Sequence, residues 1–207
     1  MLASGVVFPV SFVERRRSRR RDPSTLDQKG TTFRSTLAAI EKLDGPLVLA
    51  KVKDRLPPAL RELIEPRVLT VRWYPVALGA AIHLAVRDVI GAGRWDHSHA
   101  LGVEASMMDF TGVYRVLLRA IQYDTIWSRM ELTWGHSFTQ GGFKWHDRRE
   151  GYVKATIAGV TGFNRGIWNA AAGRGEGLLK LSGAKAASAQ VIESTASDCT
   201  FEAMWLV

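Results

Sequence analysis

The residues able to do chemistry in this chain are few: five histidines, one cysteine and a set of seven tryptophans. The string Asp96-His97-Ser98-His99 has the most metal-like spacing. Two imidazoles two residues apart could ligate zinc or copper if another element supplied a further donor. The plainer account, which we prefer, is a polar loop between helices with Asp96 or Ser98 as a helix N-cap. His83 stands in an apolar stretch. It could face a pocket as an axial ligand, or be a buried imidazole satisfied by one hydrogen bond. His136 and His146 flank a change of pattern near Asp147 without any recognised ligand spacing. Cys199 has no histidine and carboxylate or amide placed beside it by a motif, as a cysteine nucleophile requires, and it reads as a buried structural thiol. The carboxylates form no pair suited to acid–base work. Gly173-Arg174-Gly175-Glu176-Gly177 has glycines enough for a phosphate loop. A dinucleotide fingerprint, however, opens a helix directly after a strand, and these glycines fall inside a helical pattern. No catalytic residue and no metal site is expected. The remaining chemistry is that of indoles: Trp127, Trp134, Trp145 and Trp168 could line an apolar cavity, the usual wall of a ligand pocket. Core packing is the competing account for any one of them, and Trp205 reads as core.

These side chains must be positioned by elements that hydropathy periodicity marks out. Phe33, Leu37, Ile40 and Leu43 recur at helical spacing and Asp44-Gly45 closes that helix. Pro46 opens a second helix and Pro57-Pro58 a short third one that Pro66 ends. Trp73-Tyr74-Pro75 reads as a turn into a longer helix, with a stripe of Val76, Ala80, Leu84 and Ala85 extended by Val86, Val89 and Ile90. Gly91-Ala92-Gly93 stops it, and a polar loop runs from Arg94 to His99. Helices are expected over about 99–109, 111–122 and 124–134. Beyond Gly141-Gly142 the period changes. Phe143 to His146 and Tyr152 to Ile157 alternate as the arms of a hairpin around a turn at Asp147–Gly151. A helix follows from about Phe163 to Leu181, then strands at Ala187–Glu193 and Thr200–Trp205. Four glycines in that last helix each cost roughly 1 kcal/mol against alanine. Close approach of a neighbouring backbone is one reason to keep them. Helices first and then β-β-α-β-β argues for an α+β fold, a helical layer packed on an antiparallel sheet.

Composition sets outer bounds. The 207 residues are 46% hydrophobic and 23% charged, as in globular proteins, and suffice for one domain without disulfide or metal staples. A single cysteine precludes an internal disulfide and suits a reducing compartment, so a cytoplasmic location is expected. No run of about 18 apolar residues marks a membrane span. The net charge of +8 is unevenly spread, since residues 1–22 carry six arginines against Glu14 and Asp22, half of the excess. The block Arg15, Arg16, Arg17, Arg19, Arg20 and Arg21 could touch phosphates or anionic lipid. It reads more simply as part of a basic, disordered leader over residues 1–28, ahead of one domain over 29–207. Nucleic acid is not the favoured partner.

Several short strings in order resemble an uncharacterised paralogous family of myxobacterial proteins. They are Lys29-Gly30-Thr31-Thr32-Phe33, Leu56-Pro57-Pro58-Ala59-Leu60-Arg61, Trp73-Tyr74-Pro75, Gly112-Val113-Tyr114-Arg115, Gly166-Ile167-Trp168, Leu181-Ser182-Gly183-Ala184-Lys185 and Cys199-Thr200-Phe201-Glu202. Trp134 followed by Gly141-Gly142 fits the same order. The β-β-α-β-β end is similar to a wider superfamily of 4-vinyl-reductase-type domains, haem-dependent nitric oxide sensors and vesicle-tethering subunits. That resemblance implies an apolar pocket between helices and sheet. It does not extend to zinc, which needs more thiols than Cys199. Nor does it extend to haem, since Ile126-Trp127-Ser128-Arg129 lacks the spacing of the sensors' Tyr-x-Ser-x-Arg motif.

The expectation is therefore a sensory or regulatory module, not an enzyme, that takes a small apolar ligand without a cofactor. Trp127, Trp134, Trp145, Trp168 and His83 are the candidate ligand-binding residues. The alternative is a protein–protein adaptor without a ligand, with a homodimer among the open arrangements. A haem gas sensor and binding through the arginine arm are less favoured.

Overall fold

The computed structural model describes residues 26–110 and 130–206, with positions 116, 118, 119, 126 and 127 between them. The arginine block and, apart from those three positions 116, 118 and 119, the expected helix over 111–122 lie outside the described residues. The order confirms an α+β fold. A short strand β1 (Asp27–Lys29) leads into α1 (Gly30–Asp44), α2 (Pro46–Asp54), α3 (Pro58–Arg61) and a single 3-10 turn at Glu62–Ile64. Then come β2 (Trp73–Pro75), α4 (Val76–Val89), α5 (Asp96–Asp109) and α6 (Met130–Ser137). The C-terminal half is β3 (Gly142–Arg149), β4 (Tyr152–Ala158), α7 (Arg165–Leu181), β5 (Ala186–Ser194) and β6 (Cys199–Leu206).

β3 to β6 form one antiparallel sheet in the order β3-β4-β6-β5. Alternation decides its faces. Val153, Ala155 and Ile157 of β4 are buried, as are Cys199, Phe201, Ala203 and Trp205 of β6, so one face meets the helices. The outer face is polar and cross-linked. His146 Nε2 meets Thr156 Oγ1 at 2.7 Å, Thr156 Oγ1 meets Thr200 Oγ1 at 2.9 Å, and Thr200 Oγ1 donates to Glu193 at 3.1 Å. This ladder touches all four strands.

Two apolar clusters make the core. One is helical, built on Phe33, Ile40, Leu78, Ile82 and Leu101. The other lies on the sheet, built on Trp127, Trp134, Trp168, Ile157, Phe201 and Leu179. α7 joins them. Asn164 caps it by accepting from the Ile167 N–H at 3.0 Å, while its own amide donates to the Ala80 carbonyl at 2.8 Å. A Cβ on Gly173 would lie 2.1 Å from the His99 carbonyl oxygen, and one on Gly102 of α5 would lie 2.1 Å from that of Ala170. On Gly177 it would meet Ser106 Cβ at 2.7 Å, and on Gly166 it would meet His83 Cβ at 2.6 Å. Gly173 meets His99 and Val103 and Gly177 meets Val103 and Ser106, so the contacts advance together along α5 and α7 and the two helices run in the same direction with their backbones nearly touching. The lost helix propensity is offset by that approach.

Four local expectations are corrected. Trp73-Tyr74-Pro75 is a strand rather than a turn, paired antiparallel with β1. The tie is made by backbone groups, which leave no hydropathy signature. Leu26, ahead of residue 29 where the domain is expected to begin, is buried at 3% exposure. α5 begins at Asp96, not near His99. α4 buries Leu78, Ile82, Ala85 and Val86 and leaves Leu84 outside, because it is covered by the other helices on one side and by α7 on another. Among the described residues, no helix is long and apolar enough to cross a membrane.

Substitution separates the glycines. Gly173→Ala is expected to destabilise by about 3 kcal/mol through overpacking. Gly175, whose Cβ would meet only the Trp127 ring at 4.0 Å, should gain up to about 1 kcal/mol from helix propensity on mutation to alanine. Urea unfolding checks both, and equal effects would refute the backbone-contact account.

Candidate functional site

Between α6, α7 and the inner face of the sheet lies a cavity of about 490 Å³. Its walls are aromatic and aliphatic. α7 gives Trp168, Ala172 and Leu178, α6 gives Met130 and Trp134, and the sheet gives Phe143, Ile157 and Phe201. Trp127 closes one wall and Phe138, just beyond α6, another. Trp134 is the hub of the aromatic set, with ring centroids 4.2 Å from Phe138, 5.9 Å from Phe143 and 6.3 Å from Trp168. Its indole N–H donates to the Gln140 carbonyl at 2.8 Å, and that of Trp168 donates to the Thr195 carbonyl at 2.8 Å. Trp127, 1% exposed, packs its ring 5.8 Å from that of Trp205. Its Nε1 is buried and has no partner among the described residues.

A polar rim closes the end nearest α1 and α5. Arg174 donates to Asp109 at 2.7 Å, to Ser35 Oγ at 2.8 Å and to the Thr32 carbonyl at 3.2 Å. Ser106 Oγ donates back to the Arg174 carbonyl at 2.9 Å. The guanidinium is thus neutralised and saturated where it meets the cavity. The sequence gives no sign of this network, because Arg174 stands in a glycine-rich string whose only familiar meaning is a phosphate loop. Glu176 of the same string points the other way. It accepts from the Ala189 backbone N–H at 3.1 Å and from Lys180 at 2.6 Å, tying α7 to β5.

The remaining candidates are dispersed. Trp145 is absent from the cavity wall and stacks on Phe143, centroids 5.4 Å apart. His83 also lies outside it, 5% exposed, its Nδ1 3.0 Å from Ser98 Oγ. Burial, with the positive Arg174 as a lesser cause, holds its pKa down at about 3. His97 meets Asp44 at 2.8 Å, and His99 meets the Ala189 carbonyl at 2.9 Å. The first turn of α5 therefore sends its three side chains to three different elements, and no group of three or more metal-ligating side chains forms among the described residues. Cys199 is buried at 2% exposure on the cavity floor, and burial pushes its thiol up to about 12. His136, on the wall, is exposed.

No protein-family model and no curated protein matches the chain. Solved structures do, and they place the fold among H-NOX domains. The Fe(II) unliganded H-NOX protein of K. algicida superimposes with a TM-score of 0.57 at 11% identity, over 86% of this chain and 97% of that one. An oxygen-binding H-NOX domain related to soluble guanylate cyclases, in its oxygen complex, gives 0.56 at 11% identity over 86% and 94%. A structure concerned with haem redox potential and porphyrin distortion gives 0.57 at 11% identity over 85% and 99%. At such identity the likeness is one of fold.

The state of His83 makes a prediction about acid. In the unfolded chain it titrates near 6.5, so below that pH the unfolded state binds a proton that the folded state refuses. Stability should fall as pH drops from about 6.5 towards 3, by up to about 1.4 kcal/mol per pH unit from this group. His83→Gln should flatten the slope between about pH 6.5 and 4.5, and parallel slopes for the two proteins would rule the account out. Cys199 should resist a disulfide reagent at about pH 8 until the protein is unfolded.

Proposed function

We propose that this protein is a sensory or regulatory module that takes a small, largely apolar ligand into the cavity between α6, α7 and the sheet. The observation that carries the reading is the cavity itself, about 490 Å³ walled by Trp127, Trp134, Trp168, Phe143 and Phe201. That size lies within the roughly 300–1,000 Å³ of small-molecule sites. The H-NOX-like fold of sensor domains supports it, as does the kinship proposed with the myxobacterial proteins and the 4-vinyl-reductase-type superfamily. We assign the ligand contacts to Trp127, Trp134 and Trp168. Trp145 acts behind Phe143, and His83 acts as a neutral helix-to-helix strut. A binding role rather than catalysis is supported by the state of the reactive groups, since Cys199 is a protonated thiol and His83 is neutral and enclosed. We further propose a single domain whose start moves from residue 29 back to Leu26, because Leu26 is buried and β1 is paired, with a basic leader before it and a cytoplasmic location.

Haem is the cofactor that the fold implies. It needs an axial donor inside the pocket, a histidine, thiolate, methionine or tyrosinate. The described lining does not fit it. Cys199 is not a thiolate, His136 is exposed, Met130 of the wall would ligate haem iron as the partner of a histidine, and no histidine stands between His99 and His136 in the sequence. Arg174, the cation at the rim, is already taken by Asp109 and Ser35.

Titration separates the two readings. A bicyclic hydrocarbon such as tetralin should raise the melting temperature by several degrees, while hemin should give no sharp Soret band with one-to-one stoichiometry. Ala172→Phe, which fills the cavity from α7, should abolish the shift while the circular dichroism stays native. A saturable haem spectrum, or a tetralin shift that survives Ala172→Phe, would refute the proposal.

A further inference from the structure

The segment between the 3-10 turn and β2 is an exposed feature that the cavity leaves unused. It ends in Arg67-Val68-Leu69-Thr70-Val71-Arg72-Trp73, a stretch without an acidic residue. Val68 is buried in the helical cluster, whereas Leu69 is 46% and Val71 80% exposed. Single apolar side chains on a surface are ordinary. These two differ in being held out by a braced backbone. The Gly30 N–H donates to the Arg72 carbonyl at 2.8 Å, the Arg72 N–H to the Leu69 carbonyl at 3.1 Å, and the Leu69 N–H to the Tyr74 hydroxyl at 2.8 Å. A Cβ on Gly30 would lie 2.1 Å from the Leu69 carbonyl oxygen, so the tip is seated directly on the start of α1.

Cations surround this tip. Arg72 lies over the Tyr74 ring at 5.1 Å and Lys29 over the Trp73 ring at 4.7 Å. On one side a groove of about 640 Å³ separates the tip from α1 and α2, and its lining joins the buried Leu37 and Ile64 to Arg34, Lys53 and Arg67. The side chains of these three cations have no ion-pair or hydrogen-bond partner among the described residues, while Arg61 nearby is held by Asp54 and Glu65. Glu41 lies in the same groove, and on the other side of the tip Glu62 and Glu65 share a second groove with Arg67 and Arg72. Lys29, Arg34, Lys53, Arg67 and Arg72 thus outweigh Glu41 and Glu62, with Glu65 engaged by Arg61.

We propose that this face docks on an anionic lipid bilayer, Leu69 and Val71 entering the acyl boundary and the cations meeting lipid phosphates. Binding at a bilayer surface grows with the apolar area inserted and with the attraction to anionic lipid, and the face supplies both. Nucleic acid fits it less well. A phosphate backbone suits the cations but offers nothing to Val71, and Lys29 already lies over the Trp73 ring that would have to stack on a base.

The test uses the full chain and vesicles of phosphatidylcholine, with and without about one third phosphatidylglycerol. In co-sedimentation the wild type should bind the anionic vesicles and not the neutral ones, less tightly as salt is raised. Val71→Asp should weaken binding about tenfold, and Arg34→Gln with Arg67→Gln together roughly thirtyfold. All three positions are exposed, so the circular dichroism should stay native. A nitrobenzoxadiazole label on Val71→Cys reads insertion directly, since the buried Cys199 does not compete for it. Its emission should brighten and shift to the blue on anionic vesicles, while the same label on Ser188→Cys, on the outer face of the sheet, should not respond. Vesicle binding that survives both Val71→Asp and the double variant belongs to the arginine block and overturns the proposal. So does equal binding to neutral vesicles, binding to neither, or a label at position 71 that keeps its aqueous emission. Binding of a short DNA duplex that is lost in the double variant, without any binding of vesicles, assigns the face to nucleic acid and overturns it as well.

Discussion

The near-contact of two helix backbones governs this molecule. Where α5 and α7 meet, Gly102 faces the Ala170 carbonyl and Gly173 faces that of His99, at distances no Cβ could share. Two helices that approach so closely cannot slide or rotate independently. α7 is therefore fixed against the helical cluster on one side, and everything on its other side inherits that position. Trp168, Ala172 and Leu178 become a cavity wall, and Glu176 reaches the Ala189 N–H to seat the sheet. A bulkier residue at position 173 would lift α7 off α5, and the aromatic cluster around Trp134 would lose its backing.

That interaction also explains what can and cannot be read from the sequence. The C-terminal β-β-α-β-β order is legible because alternation in Val153-Lys154-Ala155-Thr156-Ile157 and the long helical run after Phe163 each follow from burial on one face. The glycines of α7 are recognisable as an anomaly with a packing motive. Their partner helix is not, because a carbonyl that accepts a close approach is common to every residue type. β1 and β2 escape notice for the same reason, since three-residue strands joined by backbone hydrogen bonds carry no periodic signal. Tryptophan enrichment points to a cavity in general terms. Which rings face it depends on register, and the bulge between Trp145 and Asp147 in β3 is a local break in that register. The rim formed by Arg174, Asp109, Ser35 and Thr32 joins residues more than sixty positions apart along the chain, a convergence that only tertiary structure creates.

Electrostatically the interior is quiet by construction rather than by composition. The chain carries a net charge of +8, yet the buried thiol of the cavity floor is neutral and the two charges of the rim are paired with each other. Burial keeps Cys199 protonated, and Arg174 and Asp109 extinguish each other. His83, beyond the wall, is likewise held neutral. A guest that enters such a space meets mainly apolar walls and is sorted chiefly by its shape.

The polar ladder on the far side of the sheet has a mechanical meaning. From His146 through Thr156 and Thr200 to Glu193 it binds the four strands edge to edge, and the cavity floor is thereby a stiff plate. The opposite wall, α6, is tied to β1 by the bridge between Gln28 and Phe138 and the bond from the Thr139 N–H to the Asp27 carbonyl. The end of that wall and the first described strand are therefore one hydrogen-bonded unit, so a displacement of α6 would be shared with β1.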